Sequence, residues 1–286
     1  MTLLSLHHPP AVEDPVLLLG LAGWGDAAAA ASDAVDWLTE SGLPIATFDP
    51  DAIFDYRSNR PILRSSAGET LSITWPRMQI VHIKPSGRDV FALVGNEPDF
   101  RWAAIAEALV DLADRFGVSH VVTVGAVPTP IRHAMPISVF GTASDSRLLL
   151  PEDEMLMDDI VVPASAGSVF RAAIEEAGVA SVGYWAQVPQ YVGRPYQPAM
   201  HALLVKISGQ LGVDLDLHVV EAEAYDQIAR LDEILSKRSD ARDFVEGLEL
   251  RVGTTSKVPA DLPTADEIAD EVSRFLESAQ EDEEGS

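Results

Sequence analysis

The sequence predicts an α/β protein, a three-layer α/β/α domain around a mostly parallel sheet with a small helical subdomain behind it. Three observations carry that prediction. Short apolar, β-branched runs alternate along the chain with stretches of helical periodicity, the pattern of βαβ units. Several of those runs lack polar alternation, as strands covered on both faces do. The last quarter then changes character, since residues 211–286 hold 21 Asp and Glu against 7 Lys and Arg.

The first unit is the clearest, in VLLLGLAGWGDAAAAASDAVDWL. Val16 to Leu19 form a short apolar run between Pro15 and Gly20, read as a buried strand. Gly23 and Gly25 allow a tight reversal, and Asp26 stands where a helix N-cap belongs, its carboxylate available to free first-turn amides. Ala27 to Ala31 favour a helix over 26–39, and their small side chains let it lie close to the sheet. A strand over 45–48 follows. Strands over 71–75, 80–83 and 90–94 come in quick succession, which predicts a hairpin or meander joined to the sheet. Pro98 marks the first turn of a helix over 98–116, with Ile105, Leu109, Leu112 and Phe116 as its apolar face and Gly117 as its stop.

A strand over 120–124, one around Val139, a helix over 168–177 and a strand over 182–185 complete the predicted core. Pro189, Gly193, Pro195 and Pro198 then break the chain before a helix over 199–211. Asp216 is placed to cap a helix whose buried face is Leu217, Val220, Ala224, Ile228, Leu231 and Leu235. Residues 242–253 read as a connector or strand, and Ile268, Val272, Phe275 and Leu276 predict a last helix over 264–279. The expected organisation is a core domain over 1–212, a helical subdomain over 213–276 and a solvated acidic tail over 277–286.

Bulk composition narrows the function. The 286 residues include no cysteine, and the amino-terminal segment shows neither a basic start nor a long apolar core, so a cytoplasmic protein is expected. No apolar run approaches membrane-spanning length. A formal charge of −25 repels phosphate backbones and anionic lipid, which argues against nucleic-acid or membrane partners.

Three segments are candidates for ligand binding. Gly23, Trp24, Gly25 and Asp26 occupy the strand-to-helix turn where amides and a helix dipole can hold a phosphate. Yet no P-loop lysine or third dinucleotide glycine is present, and Asp26 would itself fill the amides, so the turn also reads as purely structural. Arg57 and Arg60, with Arg64, form an arginine-rich loop in FDYRSNRPILR. It reads as an anion fork or as surface ion pairs with Asp51 and Asp55. His133 follows a strand's carboxyl end, where open α/β sheets place ligands, or else satisfies its own loop. Asp214, Asp216 and His218 alternate as ligands on a strand would, but capping explains Asp216 better and no metal is expected. There is no HExxH and no GxSxG, the nearest serine context being Pro163-Ala-Ser165-Ala-Gly167, so no catalytic set and no cofactor is expected.

GWGDAAAAASDA, FDPDAIFDYRSNRP, EPDFRW, VVTVGAV, FGTASD and VPQYVGRPYQPAMHALL, in this order over about residues 14–235, together resemble the proteasome assembly chaperone 2 family in its actinobacterial-type branch. The resemblance implies a phosphorylase/hydrolase-like α/β/α fold, frequent oligomerisation and a helical carboxyl-terminal extension. It also implies protein partners, since relatives bind proteasome subunits, some through a carboxyl-terminal hydrophobic-Tyr-any tripeptide. This chain ends Asp-Glu-Glu-Gly-Ser, so docking would use another surface. Related bacterial sequences are expected to carry His-Thr-Arg-Pro where this chain has His133-Ala134-Met135-Pro136. The expectation is a non-catalytic, homo-oligomeric protein-binding factor with proteasome-related partners. The alternative is an enzyme binding a small molecule or phosphoryl group where Gly23 to Asp26, Arg57, Arg60 and His133 converge at the carboxyl edge of the sheet.

Overall fold

Strand β1 (Leu4–Leu6) leads into the apolar run Val16–Leu19, which forms β2, all four residues buried. The computed structural model describes residues 3–7, 9–66, 69–156 and 160–238, with Val245 and Leu248. In chain order the further elements are α1 (Ala30–Thr39), β3 (Leu43–Phe48), α2 (Pro50–Ile53), β4 (Ile62–Ser66), β5 (Glu69–Thr74), β6 (Met78–Ile83) and β7 (Val90–Gly95). Then come α3 (Trp102–Phe116), β8 (His120–Thr129), β9 (Val139–Ala143), β10 (Glu154–Met155), α4 (Ala166–Glu176), β11 (Ser181–Pro189), α5 (Gln197–Leu211) and α6 (His218–Lys237).

Nine strands form one sheet in the order β1-β3-β6-β7-β2-β8-β11-β9-β10. Its centre, β7-β2-β8-β11, is parallel, and β1, β3 and β6 on one side and β9 on the other run antiparallel to their inner neighbours. Successive residues of β2 point to opposite faces: Val16 and Leu18 pack under α1 and α5, Leu17 and Leu19 under α3 and α4. Each such side chain contributes about 1.5–3 kcal/mol on burial, so the expected three-layer fold is held by both faces of one sheet. Ala30, Ala31 and Ala34 are wholly buried, and they bring α1 close over the sheet as the alanine run predicts. Helix α6 lies on α5, with Val220 and Ala224 buried and Leu217, Ile228, Leu231 and Leu235 half-buried.

Three local departures from the sequence reading have identifiable causes. Ala28 and Ala29 adopt left-handed backbone angles (φ 52° and 60°), so residues 27–29 form a 3₁₀ turn and α1 starts at Ala30. Asp26 still caps the helix, reaching past that turn to accept the amides of Ala31 (2.8 Å) and Ser32 (3.2 Å) and the Ser32 hydroxyl (2.6 Å). Helix α3 starts at Trp102 rather than Pro98, because the amides of Asp99 and Phe100 donate to Ile53 O at 2.9 and 3.0 Å and Arg101 is left-handed. The strand expected over 71–75 does not join the main sheet. As β5 it pairs with β4, a segment read as loop, in a separate antiparallel ribbon, while β6 and β7 form the hairpin within the sheet. Asp216 accepts the His218 amide at 3.4 Å ahead of α6. Val245 and Leu248, within the segment read as a connector or strand, are helical and buried. The helix expected over 264–279 and the tail over 277–286 lie outside the described residues.

Candidate functional site

The crevice at the carboxyl ends of β2, β7, β8 and β11 is where a doubly wound sheet places ligands. Loops after β2 and β7 are zipped together there. The Ala22 amide donates to Gly95 O (2.9 Å) and the Glu97 amide to Ala22 O (2.8 Å). That pairing aims the Glu97 side chain between the first loop and the start of α4. Its Oε2 accepts the Trp24 amide at 2.7 Å and its Oε1 accepts the Ala166 amide at 2.6 Å. Ser165 caps the same helix by accepting the Ser168 amide at 3.2 Å. The positive end of the α4 dipole, a natural anion site, therefore holds the chain's own carboxylate.

Gly23 and Gly25 answer to this packing. A Cβ on Gly23 would overlap the Glu97 side chain, and one on Gly25 would lie 3.1 Å from the Trp185 ring and 3.2 Å from Ser165. Trp185 in turn lies against Gly125. What remains is a cleft of about 20 Å³ between Leu19, Gly25, Glu97, Thr123, Ser165 and Trp185, room for about one water. Ser165 and Ser168 face each other across 3.0 Å, and among the described residues no histidine or lysine lines the cleft.

Asp26 sits beside it, joined through a bridge in which the Ala126 amide donates to Gly25 O at 2.8 Å. Burial pushes the Asp26 carboxyl up, against the opposing pull of its hydrogen bonds from Ser32 and Ala31 and the charge of Arg194. Asp33 is pushed up by burial and then by the charge of Asp26.

The other sequence candidates lie elsewhere: none of Arg57, Arg60 and His133 lines the cleft. Arg57 is paired with Asp55 at 3.1 Å, and that hydrogen-bonded pair holds Asp55 below the usual carboxylate range. Asp99 fixes their loop by accepting the Asp55 amide and Asn59 Nδ2, both at 2.8 Å. Tyr56 donates to Asp51 at 2.5 Å, a bond that pushes its phenol up to about 12. Arg60 is exposed. His133 is buried and bridges two segments. Its Nε2–H donates to Asp232 on α6 (3.0 Å), and Tyr191 accepts the His133 amide and donates to its Nδ1, both at 2.8 Å. An ionised carboxylate only accepts, which fixes this tautomer.

Two polar features went unread in the sequence. Glu97 lies in the EPDFRW motif, and its position just after a strand end was the available signal. Asp153, its side chain wholly buried, accepts from Lys206 (2.6 Å), Tyr184 (2.6 Å) and the Leu150 amide (2.7 Å), pinning the segment before β10 to β11 and α5. Among the described residues no cluster of three metal-ligating side chains occurs, and no helix is long and apolar enough to cross a membrane.

Fold and site together define a three-layer α/β/α protein whose crevice is closed by its own glutamate. The sequence profile of the PAC2 family matches residues 20–235, and the chain belongs to that family. A Mycobacterium tuberculosis proteasome-assembly chaperone homologue is 33% identical, with 80% of this chain and 99% of that one covered at a TM-score of 0.71. A Streptomyces avermitilis PAC2 family protein is 31% identical, over 81% of this chain and 100% of that one, at a TM-score of 0.70. A Corynebacterium glutamicum protein of unknown function is 28% identical, over 88% and 97%, at a TM-score of 0.81. No curated protein matches the chain.

Proposed function

We propose that this chain is a non-catalytic cytoplasmic factor that binds other proteins through its surfaces, assembles with copies of itself, and has a proteasome-related partner. Kinship with the mycobacterial proteasome-assembly chaperone homologue supports the partner class. The observation that carries the non-catalytic reading is Glu97, whose carboxylate fills the crevice a small ligand would need. An enzyme acting on a small molecule or phosphoryl group requires titratable and anion-binding residues to converge in a pocket of several hundred Å³. Here Arg57, Arg60 and His133 stand apart from a cleft that admits about one water. The test is crosslinking and affinity capture of the tagged full chain from its native cell, read by mass spectrometry. Enrichment of proteasome subunits or their assembly factors is expected; their absence under crosslinking would sink the reading.

A further inference from the structure

Three loops meet at the carboxyl edge of the sheet, and two of them hold aromatic side chains out in water. Trp24, after β2, is 47% exposed, and Phe100, after β7, is 50% exposed. Neither loop is loose. The Glu97 carboxylate accepts the Trp24 amide at 2.7 Å, and the amides of Asp99 and Phe100 both donate to Ile53 O. Asp99 accepts Asn59 Nδ2 at 2.8 Å, which brings in the third loop, residues 54–61. A ring left half in water on a backbone that is already fixed loses little freedom when a partner covers it, and such rings anchor protein interfaces.

Charge gives the partner's chemistry. The chain uses the carboxylates of these loops itself: Glu97 and Asp99 accept backbone amides, and Asp55 is paired with Arg57. Arg60, next to Asn59, and Arg101, next to Phe100, are exposed and form no ion pair among the described residues. Arg101 takes left-handed angles (φ 62°) that a residue with a side chain disfavours, so the loop imposes its place. The rim is thus a basic, aromatic spot on a chain of net charge −25. Guanidinium groups pair well with carboxylates. A nucleic acid would carry its charge into the negative field around the rim, whereas a short acidic peptide brings only the few carboxylates that the two arginines meet.

We propose that this rim binds an extended acidic peptide segment of a different protein, one apolar side chain seated on Trp24 and Phe100 and the flanking carboxylates on Arg60 and Arg101. This names the partner chemistry for the protein-binding part of the proposed function and rests on that part; it does not require the partner to be proteasomal.

Fluorescence anisotropy of a labelled peptide, Asp-Glu-Phe-Glu-Asp, titrated with the full chain tests it. Saturable binding is expected, weakening as salt rises because exposed charge pairs are screened. Trp24→Ala and Arg60→Glu/Arg101→Glu each weaken it about tenfold or more. Both variants keep the wild-type melting temperature and sedimentation coefficient, since these side chains lie outside the core. The Arg60→Glu/Arg101→Glu chain binds instead the peptide with lysines in place of its acids, and Lys237→Gln, on α6, leaves binding unchanged. No binding by the wild type, or binding indifferent to the rim substitutions, overturns the proposal. So does equal affinity for the peptide with Ser in place of Phe and for a short oligonucleotide, which makes the rim a general anion surface. Binding seen only in Glu281→Gln/Asp282→Asn/Glu283→Gln/Glu284→Gln overturns it because the chain's own tail then fills the rim, and release of monomer from an assembled wild type as the peptide binds does so because a second copy then fills it. Failure of the peptide beside successful capture of proteasomal proteins sinks this proposal alone; peptide binding without that capture sinks only the proteasomal reading.

Discussion

Asp89 is almost fully buried, and burial alone would push its carboxyl up. Hydrogen bonds from Lys84 (2.9 Å) and His82 (2.8 Å) and from the Glu13 amide (3.3 Å) outweigh that and hold it below the usual range. A carboxyl depressed on folding stabilises above its unfolded value, 3.8 for an unperturbed Asp, and that stability is lost as pH falls through the folded value. Asp89→Asn is therefore expected to cost about 1–3 kcal/mol in urea unfolding at neutral pH, because it weakens the hydrogen bonds from Lys84 and His82 while the half-exposed Lys84 regains part of its solvation. The difference should shrink towards zero as the acid limb is descended; an undiminished difference in strong acid would contradict it. Asp26 has the opposite sign. Raised on folding, it favours the fold below 3.8 and loses that contribution as pH rises through its folded value.

At the scale of elements, α6 is tied to the core by packing on α5 and by His133, whose ring spans Tyr191 and Asp232. His133→Ala removes both ring bonds and is expected to cost about 1–3 kcal/mol. Hydrogen exchange should show faster opening of α6 with β2 and β8 unchanged; uniform acceleration across the sheet would show that the tie is not local. The elements visible in the sequence are those whose cause is local. Val16–Leu19 reads as a strand because every residue is apolar, and Gly117 ends α3 because it takes the left-handed angle (φ 61°). The hidden ones depend on distant partners. The start of α3 is set by Ile53, far back in the chain, and β4 exists through β5 in solvent, with no buried face to leave an alternation. Glu97 resembles any loop acid until Ala166, 69 residues later, is brought to it.

For the molecule as a whole, the sheet's crevice decides how stability responds to ligands. An open α/β site gains stability from its ligand by mass action. Here millimolar phosphate is expected to leave the wild-type melting temperature unchanged. Glu97→Ala frees the amides of Trp24 and Ala166 and should cost about 2–4 kcal/mol for two charge-assisted bonds. Phosphate, sulfate or acetate should partly restore that variant in a thermal shift assay; a wild type stabilised by phosphate, or a variant indifferent to all three anions, would refute the account. A side chain on the same polypeptide is present at an effective concentration of about millimolar or more, whatever the surrounding solution contains. The fold therefore carries a tethered anion that cannot be diluted or competed away at ordinary metabolite levels. Its occupancy of the crevice is therefore set by the fold itself and not by the composition of the solution.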